Sequence, residues 1–223
     1  MSTANIELYA GEHAIEVEHF GFVFRSPIDA SDEGRFQEAL ASLEPYFGAI
    51  DEPELVQLVL GESSPPKPVL KHLADYGRDG KLDWSGSFGE NAVSVACNRY
   101  TGWLEVWPQI MQRLGVLLAC IDPFKNVGSI EYSVTDSMRE EYRGEQELHL
   151  RSKNIFRKGT WVPDNLMSYE DPRWDFESGM FIEGDAIEQQ LERVEAKAVI
   201  SGSHVVASIT NTFSLRFRKP VRL

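Results

Sequence analysis

The segment V-V-A-S-I-T-N-T-F-S-L-R-F, residues 205–217, gives the clearest structural signal in the chain, because apolar and polar side chains alternate along it. A period of two is typical of a β-strand with one buried face. The preceding segment R-V-E-A-K-A-V-I, residues 193–200, alternates in the same way, and S-G-S-H at 201–204 supplies a turn. Together the two segments predict an antiparallel hairpin.

Further strands and helices are predicted upstream of this hairpin. Strands are predicted for 91–98 and 126–140, and an amphipathic helix between them for 103–121. Shorter helices are predicted within 51–60, 65–77 and 184–192 from their apolar spacing and flanking Pro, Gly or Asp. Because the strands are half polar, the pattern favours an α+β fold, with antiparallel sheet packed against amphipathic helices, over a doubly wound parallel sheet.

The N-terminal region predicts a strand followed by a helix. In H-A-I-E-V-E-H-F-G-F-V-F-R-S, residues 13–26, the apolar positions change parity, which indicates a bulge near residues 19–21. Ser31 or Asp32 is expected to cap the following helix. The apolar residues of that helix recur at spacings of three and four, namely Phe36, Leu40, Leu43 and Phe47.

A length of 223 residues fits a single compact domain over residues 1–223. The repeated order of strand, helix and strand also suggests two related halves, 14–140 and 141–223, that share one core. The chain begins without a basic stretch followed by an apolar core, and its charges are too dense for a membrane-spanning helix. We therefore expect a cytoplasmic protein.

Two tryptophans, Trp103 and Trp107, follow the polar segment N-R-Y-T-G. They share one helical stripe with Ile110, Leu114, Leu117 and Ile121, so both indoles are expected to face a sheet. Pro108 has no amide donor, which suggests that the helix begins near Trp107 or is kinked before Pro108. The stripe favours a core role for the indoles over a stacking platform for a ligand.

Charge is distributed unevenly along the chain, whose net charge is -13. Residues 1–53 contain eleven acidic and two basic side chains, whereas 216–223 contain four basic side chains and no acidic one. An acidic protein repels phosphate backbones, so broad nucleic-acid binding is not expected. A protein partner with a basic surface is compatible with this distribution.

Motifs that supply catalysis or metal binding are absent from the sequence. The five histidines form no pair at metal-binding spacing, and neither Cys-x-x-Cys nor His-Glu-x-x-His occurs. Cys97 and Cys120 lie in apolar surroundings, which predicts buried free thiols rather than a disulfide. Glu16 and Glu18 could face a cation, but an exposed acidic strand edge explains them more simply. We expect no cofactor, no metal and no catalytic residue.

The segment 154–181 is rich in aromatic residues, prolines and aspartates but has poor periodicity. It predicts a long ordered loop or several short turns, which either cover the sheet or form a recognition surface. We expect exposed acids to increase the association rate with a partner and buried aromatics to slow its dissociation. The residues predicted to bind a partner are Glu16, Glu18, Asp29, Asp32, Glu33, Trp161, Tyr169 and Trp174.

Three segments carry a resemblance to other proteins: Y-T-G-W at 100–103, R-W-D-F-E-S-G-M-F at 173–181 and the closing I-T-N-T-F-S-L-R-F at 209–217. The chain resembles a sporadically distributed family of uncharacterised bacterial proteins, although it has I-E-Y-S-V at 130–134 where that family has an arginine-bearing strand. The resemblance implies architecture and a bacterial, accessory-gene origin, and it implies no catalytic residue.

Two functional hypotheses follow from these patterns. The first is a non-enzymatic, acidic, protein-binding accessory protein, such as an immunity protein, an antitoxin or an anti-defence inhibitor. The alternative is a small-ligand receptor or an enzyme with a pocket under residues 154–181. A flat acidic face would favour the first hypothesis, and a deep cleft with converging polar groups would favour the second.

Overall fold

The computed structural model describes residues 6–8, 14–51, 69–141, 149–156, 162–168, 170–184 and 187–222. Its strands are β1 Ile6–Leu8, β2 Ile15–Phe24, β3 Ala49–Asp51, β4 Val69–Tyr76, β5 Leu82–Gly89, β6 Ala92–Cys97, β7 Asn126–Glu141, β8 Trp174–Ile182, β9 Ile187–Ser201 and β10 His204–Arg222. Its helices are α1 Ala30–Glu38, α2 Leu40–Leu43, α3 Trp103–Leu118, α4 Ser152–Ile155 and α5 Asp164–Met167.

The strands form one large antiparallel sheet in the order β3-β4-β5-β6-β2-β7-β10-β9-β8, and β1 pairs with β7. The fold is therefore mixed but mostly sheet, which confirms the antiparallel part of the sequence prediction. The hairpin predicted at the C-terminal end is present as β9 and β10. Gly202 in its turn has a φ of 59°, a left-handed conformation that glycine adopts without strain.

Three segments adopt strands where the sequence predicted other structure. Val69–Tyr76 is strand β4 instead of a helix, because it pairs with β3 on one side and β5 on the other. The helix predicted within 184–192 is wrong for the described residues from Ile187 onward, which begin β9. The loop predicted for 154–181 contains strand β8. In each case sheet pairing outweighs the local helical or irregular pattern.

Strand β2 has no bulge on the side that pairs with β6, although one was predicted near residues 19–21. Residues 18–23 pair with β6 in an unbroken register, from Glu18 opposite Cys97 to Val23 opposite Ala92. Side chains of both parities along β2 are at least partly buried. The change of parity in the sequence therefore reflects a strand that is covered on both faces, and it needs no extra residue.

The chain divides into two compact units, which are described separately. The first unit comprises residues 1–17, 133–182 and 191–213, and the second comprises 18–132, 183–190 and 214–223. The division into halves at residue 140 stays a prediction. The core of the first unit is a cluster of six buried residues, namely Leu150, Trp174, Ala196, Ala198, Val205 and Ala207.

The second unit contains the larger core, in which helices α1 to α3 contribute side chains that pack with those of β2, β5 and β6. Phe36, Leu43 and Phe47 are fully buried there, as their helical spacing predicts. Arg113 of α3 also enters this core: its guanidinium lies 4.2 Å from the centre of the Trp84 ring and 3.2 Å from a carboxylate oxygen of Asp75. None of the helices among the described residues is long and apolar enough to cross a membrane.

Candidate functional site

The polar loop before α3 directs the chain into the helix through Gly102, whose φ of 138° favours glycine. Helix α3 then begins at Trp103, so a start near Trp107 is wrong, and the alternative of a kink before Pro108 stays a prediction. Pro108 lies inside the helix and removes only one amide from the hydrogen-bond ladder. Both tryptophans consequently belong to the first two turns of α3.

One side of α3 is buried in the core of the second unit. Val106, Ile110, Leu114 and Leu117 are at most 1% exposed. Their spacing of three and four places them on one side of the helix, which is the side that the sequence predicted to face the sheet. The prediction holds for the aliphatic residues.

On the solvent side of α3, exposed uncharged residues form a stripe beside the exposed polar residues Glu105 and Gln112. Leu104 is 88% exposed and Met111 is 45% exposed, and Pro108 and Gly115 are also exposed. We call the stripe formed by Leu104, Pro108, Met111 and Gly115 the outer face of α3. It contains no charged residue, although the solvent side of a surface helix is ordinarily polar.

Trp103 departs from its predicted core position, because 44% of its surface is exposed. Its ring stacks on that of Trp107 with centroids 4.9 Å apart, and it meets the Tyr132 ring edge-on at 6.2 Å. Phe20 contacts both Trp107, at 5.4 Å, and Tyr132, at 6.3 Å. Each of these four rings thus contacts two of the others, and we call the group the aromatic cluster.

A buried carboxylate adjoins the aromatic cluster. Glu18 precedes Phe20 by two residues on β2, so the two side chains project from the same face of the strand. Glu18 is 1% exposed, and the Tyr132 hydroxyl donates a hydrogen bond of 2.7 Å to its Oε1 atom. Its Oε2 atom is buried and has no hydrogen-bond partner among the described residues. Burial raises the pKa of the Glu18 carboxyl, and the bond from Tyr132 opposes part of that rise.

The prediction that Glu18 is exposed is therefore wrong, and the reason is the position of β2 in the sheet. This strand pairs with β6 and lies next to β7, so it is an interior strand and not an edge. The pKa of Tyr132 is likewise raised, by burial and by its bond to Glu18.

Cys97 lies opposite Glu18 on β6 and is completely buried. Burial raises the pKa of its thiol to about 11, and the Glu18 carboxylate adds to this rise. Burial also raises the pKa of Cys120. Both cysteines are free, as predicted, and at neutral pH both are protonated thiols rather than nucleophilic thiolates.

Asp29 and Asp32, two of the acids predicted to bind a partner, organise the start of α1. Asp29 caps the helix through the amides of Ser31 and Asp32, and Asp32 accepts a hydrogen bond from the Asp29 amide. The Nζ atom of Lys125 lies 3.0 Å from Oδ2 of Asp29 and 2.5 Å from Oδ2 of Asp32. Asp32 is fully buried, so the expectation that it is exposed is wrong. The helix cap is Asp29, not Ser31 or Asp32.

The other predicted site residues that the structure describes lie on separate elements. Glu33 is exposed on α1, and Glu16 is partly buried on β2. Trp161 and Tyr169 lie outside the described residues. Trp174 is 5% exposed: its indole nitrogen donates to the Leu150 carbonyl at 3.3 Å, and its ring packs against Phe156. That placement is a core position in the first unit.

A pocket of about 390 Å³ opens beside Trp174 in the first unit. It is lined by Pro163, Asn165, Leu166, Arg173, Trp174, Asp175 and Phe176. All of these residues belong to the segment 154–181 that the sequence singled out. Arg173 at its edge forms an ion pair with Asp171, and this pair lowers the pKa of Asp171 to about 2.

The pairing of Glu18 with Tyr132 was missed at the sequence level. The available signal was a glutamate that shares the parity of Phe20, Phe22 and Phe24, together with a tyrosine that shares the parity of Ile130 and Val134. Within the described residues, no group of three or more His, Cys, Asp or Glu side chains is placed to hold a metal ion. No protein-family model matches the chain, and no curated protein or solved structure is significantly similar to it.

Proposed function

We propose that the protein is a non-enzymatic binding protein and that the outer face of α3 docks another protein. The observation that carries this proposal is the exposure of Leu104, at 88%, on a helix stripe without charges. Met111 and Trp103 add two more exposed apolar side chains on or beside the same stripe. Contiguous exposed apolar residues commonly mark interaction surfaces.

The stripe is suited to docking because the helix beneath it is fixed. Its opposite side is packed into the core of the second unit, so the exposed residues are held in place before a partner arrives. A preformed apolar surface loses little conformational entropy on binding. Tryptophan is also among the residues most often found at the energetic centre of an interface.

The expected partner has an apolar centre surrounded by basic side chains. The chain carries a net charge of -13, and the exposed Glu105 lies in the first turn of α3. Exposed acids such as Glu33 would then steer the encounter, as proposed from the sequence, while the outer face of α3 supplies contact area. A protein with this function would be, for example, an immunity protein, an antitoxin or an anti-defence inhibitor.

The test is to compare partner binding by two variants that each add one carboxylate to α3. Leu104→Glu places a charge on the outer face, whereas Gln112→Glu places it on an exposed flank of the same helix. A partner captured from the native host and then purified should bind Leu104→Glu about thirtyfold or more weakly, equivalent to roughly 2 kcal/mol at a central contact. Gln112→Glu should bind it as the wild type does. Equal affinity of all three proteins would reject the docking surface.

The pocket beside Trp174 supports a second candidate function, that of a small-ligand receptor. Its volume of about 390 Å³ falls within the range of small-molecule sites, and Asn165, Arg173 and Asp175 give it polar groups among apolar ones. A thermal-shift screen of small metabolites tests this candidate. A real ligand should stabilise the wild type and fail to stabilise Asn165→Trp, in which an indole fills the pocket.

A further inference from the structure

We infer that the aromatic cluster and Glu18 form a binding site for an organic cation, such as an alkylammonium or guanidinium group. This inference goes beyond the proposed docking function and does not rest on it. It is built from two features of the second unit: four aromatic rings that each contact two of the others, and a buried carboxylate whose second oxygen has no hydrogen-bond partner among the described residues.

The rings of the aromatic cluster differ from the core of the same unit in their exposure. Core side chains such as Val95, Ile110 and Leu114 are completely buried. Each ring of the cluster, in contrast, retains some exposed surface, and Trp103 retains most. The π-faces of aromatic rings attract cations, and tryptophan does so most strongly. The cluster can therefore be reached from solvent and presents the groups that recognise a cation.

Glu18 supplies the charge that such a site requires. Removing a carboxylate from water is costly unless hydrogen bonds or an opposite charge compensate for the lost hydration. The hydrogen bond from Tyr132 compensates for the lost hydration of one Glu18 oxygen. The other oxygen has no hydrogen-bond partner among the described residues. No cationic side chain forms an ion pair with Glu18 in the described part of the chain, and Arg113 pairs with Asp75 instead. A bound cation would satisfy the remaining oxygen.

The chemistry of the cluster favours an organic cation over a metal ion. Calcium and magnesium need about six oxygen ligands, whereas this cluster offers a single carboxylate beside rings. An alkylammonium or guanidinium group can place its apolar surface on the indoles and direct its charge toward Glu18. The cation could belong to a free small molecule or to a lysine or arginine side chain of a peptide, since both carry the same chemistry.

The experiment compares choline with its neutral isostere, in which a carbon atom replaces the ammonium nitrogen, by isothermal titration at about pH 8, where carboxyl groups are ionised. The wild type should bind choline and bind the isostere about tenfold or more weakly, a difference of roughly 1.4 kcal/mol. A short peptide containing trimethyllysine forms a second arm. Preference for the peptide would assign the cation to a macromolecular side chain, and preference for choline would assign it to a free ligand.

Three variants separate the inference from a loss of folding. Glu18→Gln keeps the acceptor for Tyr132 but removes the charge, and it should weaken choline binding by about tenfold. Trp103→Leu removes a π-face at a partly exposed position and should weaken binding while the melting temperature is retained. Glu131→Gln removes an exposed charge next to Tyr132 and should bind choline like the wild type. The inference is overturned if the wild type binds neither cation, if the isostere binds as tightly as choline, or if Glu18→Gln retains full affinity.

Discussion

At the scale of single residues, Glu18 is the group whose burial has the clearest energetic consequence. Its pKa is raised in the folded protein above the ordinary value of 4.5, so the folded state binds the proton more tightly than the unfolded state does. The free energy of unfolding therefore falls as the pH rises from about the unfolded pKa through the higher folded pKa. Ionisation of Glu18 therefore destabilises the folded protein relative to the unfolded chain.

Glu18→Gln should remove this cost, because the amide has no charge to bury and still accepts the bond from Tyr132. We expect the variant to be more stable than the wild type by roughly 1 kcal/mol at about pH 8. The difference should vanish at about pH 3, where Glu18 is protonated in both states. Urea unfolding at the two pH values measures it. A variant less stable than the wild type at the higher pH would contradict this account.

The pKa of Asp32, which pairs with Lys125, is shifted in the opposite direction to that of Glu18. Burial alone would raise the pKa of Asp32, but hydrogen bonds from Lys125 and from the amides of Asp29 and Asp122 lower it below the ordinary 3.8. The stability that this carboxylate contributes is thus present above the unfolded pKa and is lost as the pH falls through the lower folded pKa. Glu18 and Asp32, both of which the sequence placed at the surface, respond to acid in opposite ways.

Single residues were also the least predictable part of the site. Acid residues are mostly exposed in proteins, so an acidic N-terminal quarter predicts a charged surface. Burial of Glu18 depends on which strands flank β2, and burial of Asp32 depends on Lys125, which is 93 residues away in the chain. Neither relation is visible in local spacing. The capping of α1 was located to within a few residues because that signal is local.

At the scale of elements, helix α3 provides two adjacent apolar residues in opposite surroundings. Ile110 is completely buried and Met111 is 45% exposed. Ile110→Ala should lower the free energy of unfolding by about 2–5 kcal/mol, because it leaves a cavity in the core. Met111→Ala should change it by no more than about 0.5 kcal/mol. Denaturant titration compares the two, and similar losses would mean that the outer face of α3 is covered in solution.

The elements that the sequence predicted well are those with a strong local period and a matching turn. Strand β6, helix α3 and the β9–β10 hairpin belong to this group. Strand β4 does not, since Val69, Leu73 and Tyr76 have helical spacing as well. Its pairing with β3 and β5 decides its structure, and the apolar spacing within the segment does not reveal that pairing.

At the scale of the whole molecule, each compact unit has its own buried cluster. Trp174 is the largest side chain in the cluster of the first unit, where it both packs against Phe156 and bonds to Leu150. Trp174→Ala should cost about 3–5 kcal/mol of stability. Hydrogen exchange should accelerate at the amides of β8. Normal stability of this variant would show that the indole is not a core residue, and its predicted role in partner binding would then regain support.

The two buried thiols have a practical consequence for labelling. Cys97 and Cys120 are both completely shielded and protonated at neutral pH, so maleimides and similar reagents should leave them unmodified while the protein is folded. A cysteine introduced at an exposed position of α3, such as Met111 or Gln112, would then be the reactive one. Fluorophores or spin labels can thus be attached beside the outer face of α3 without first replacing the native cysteines.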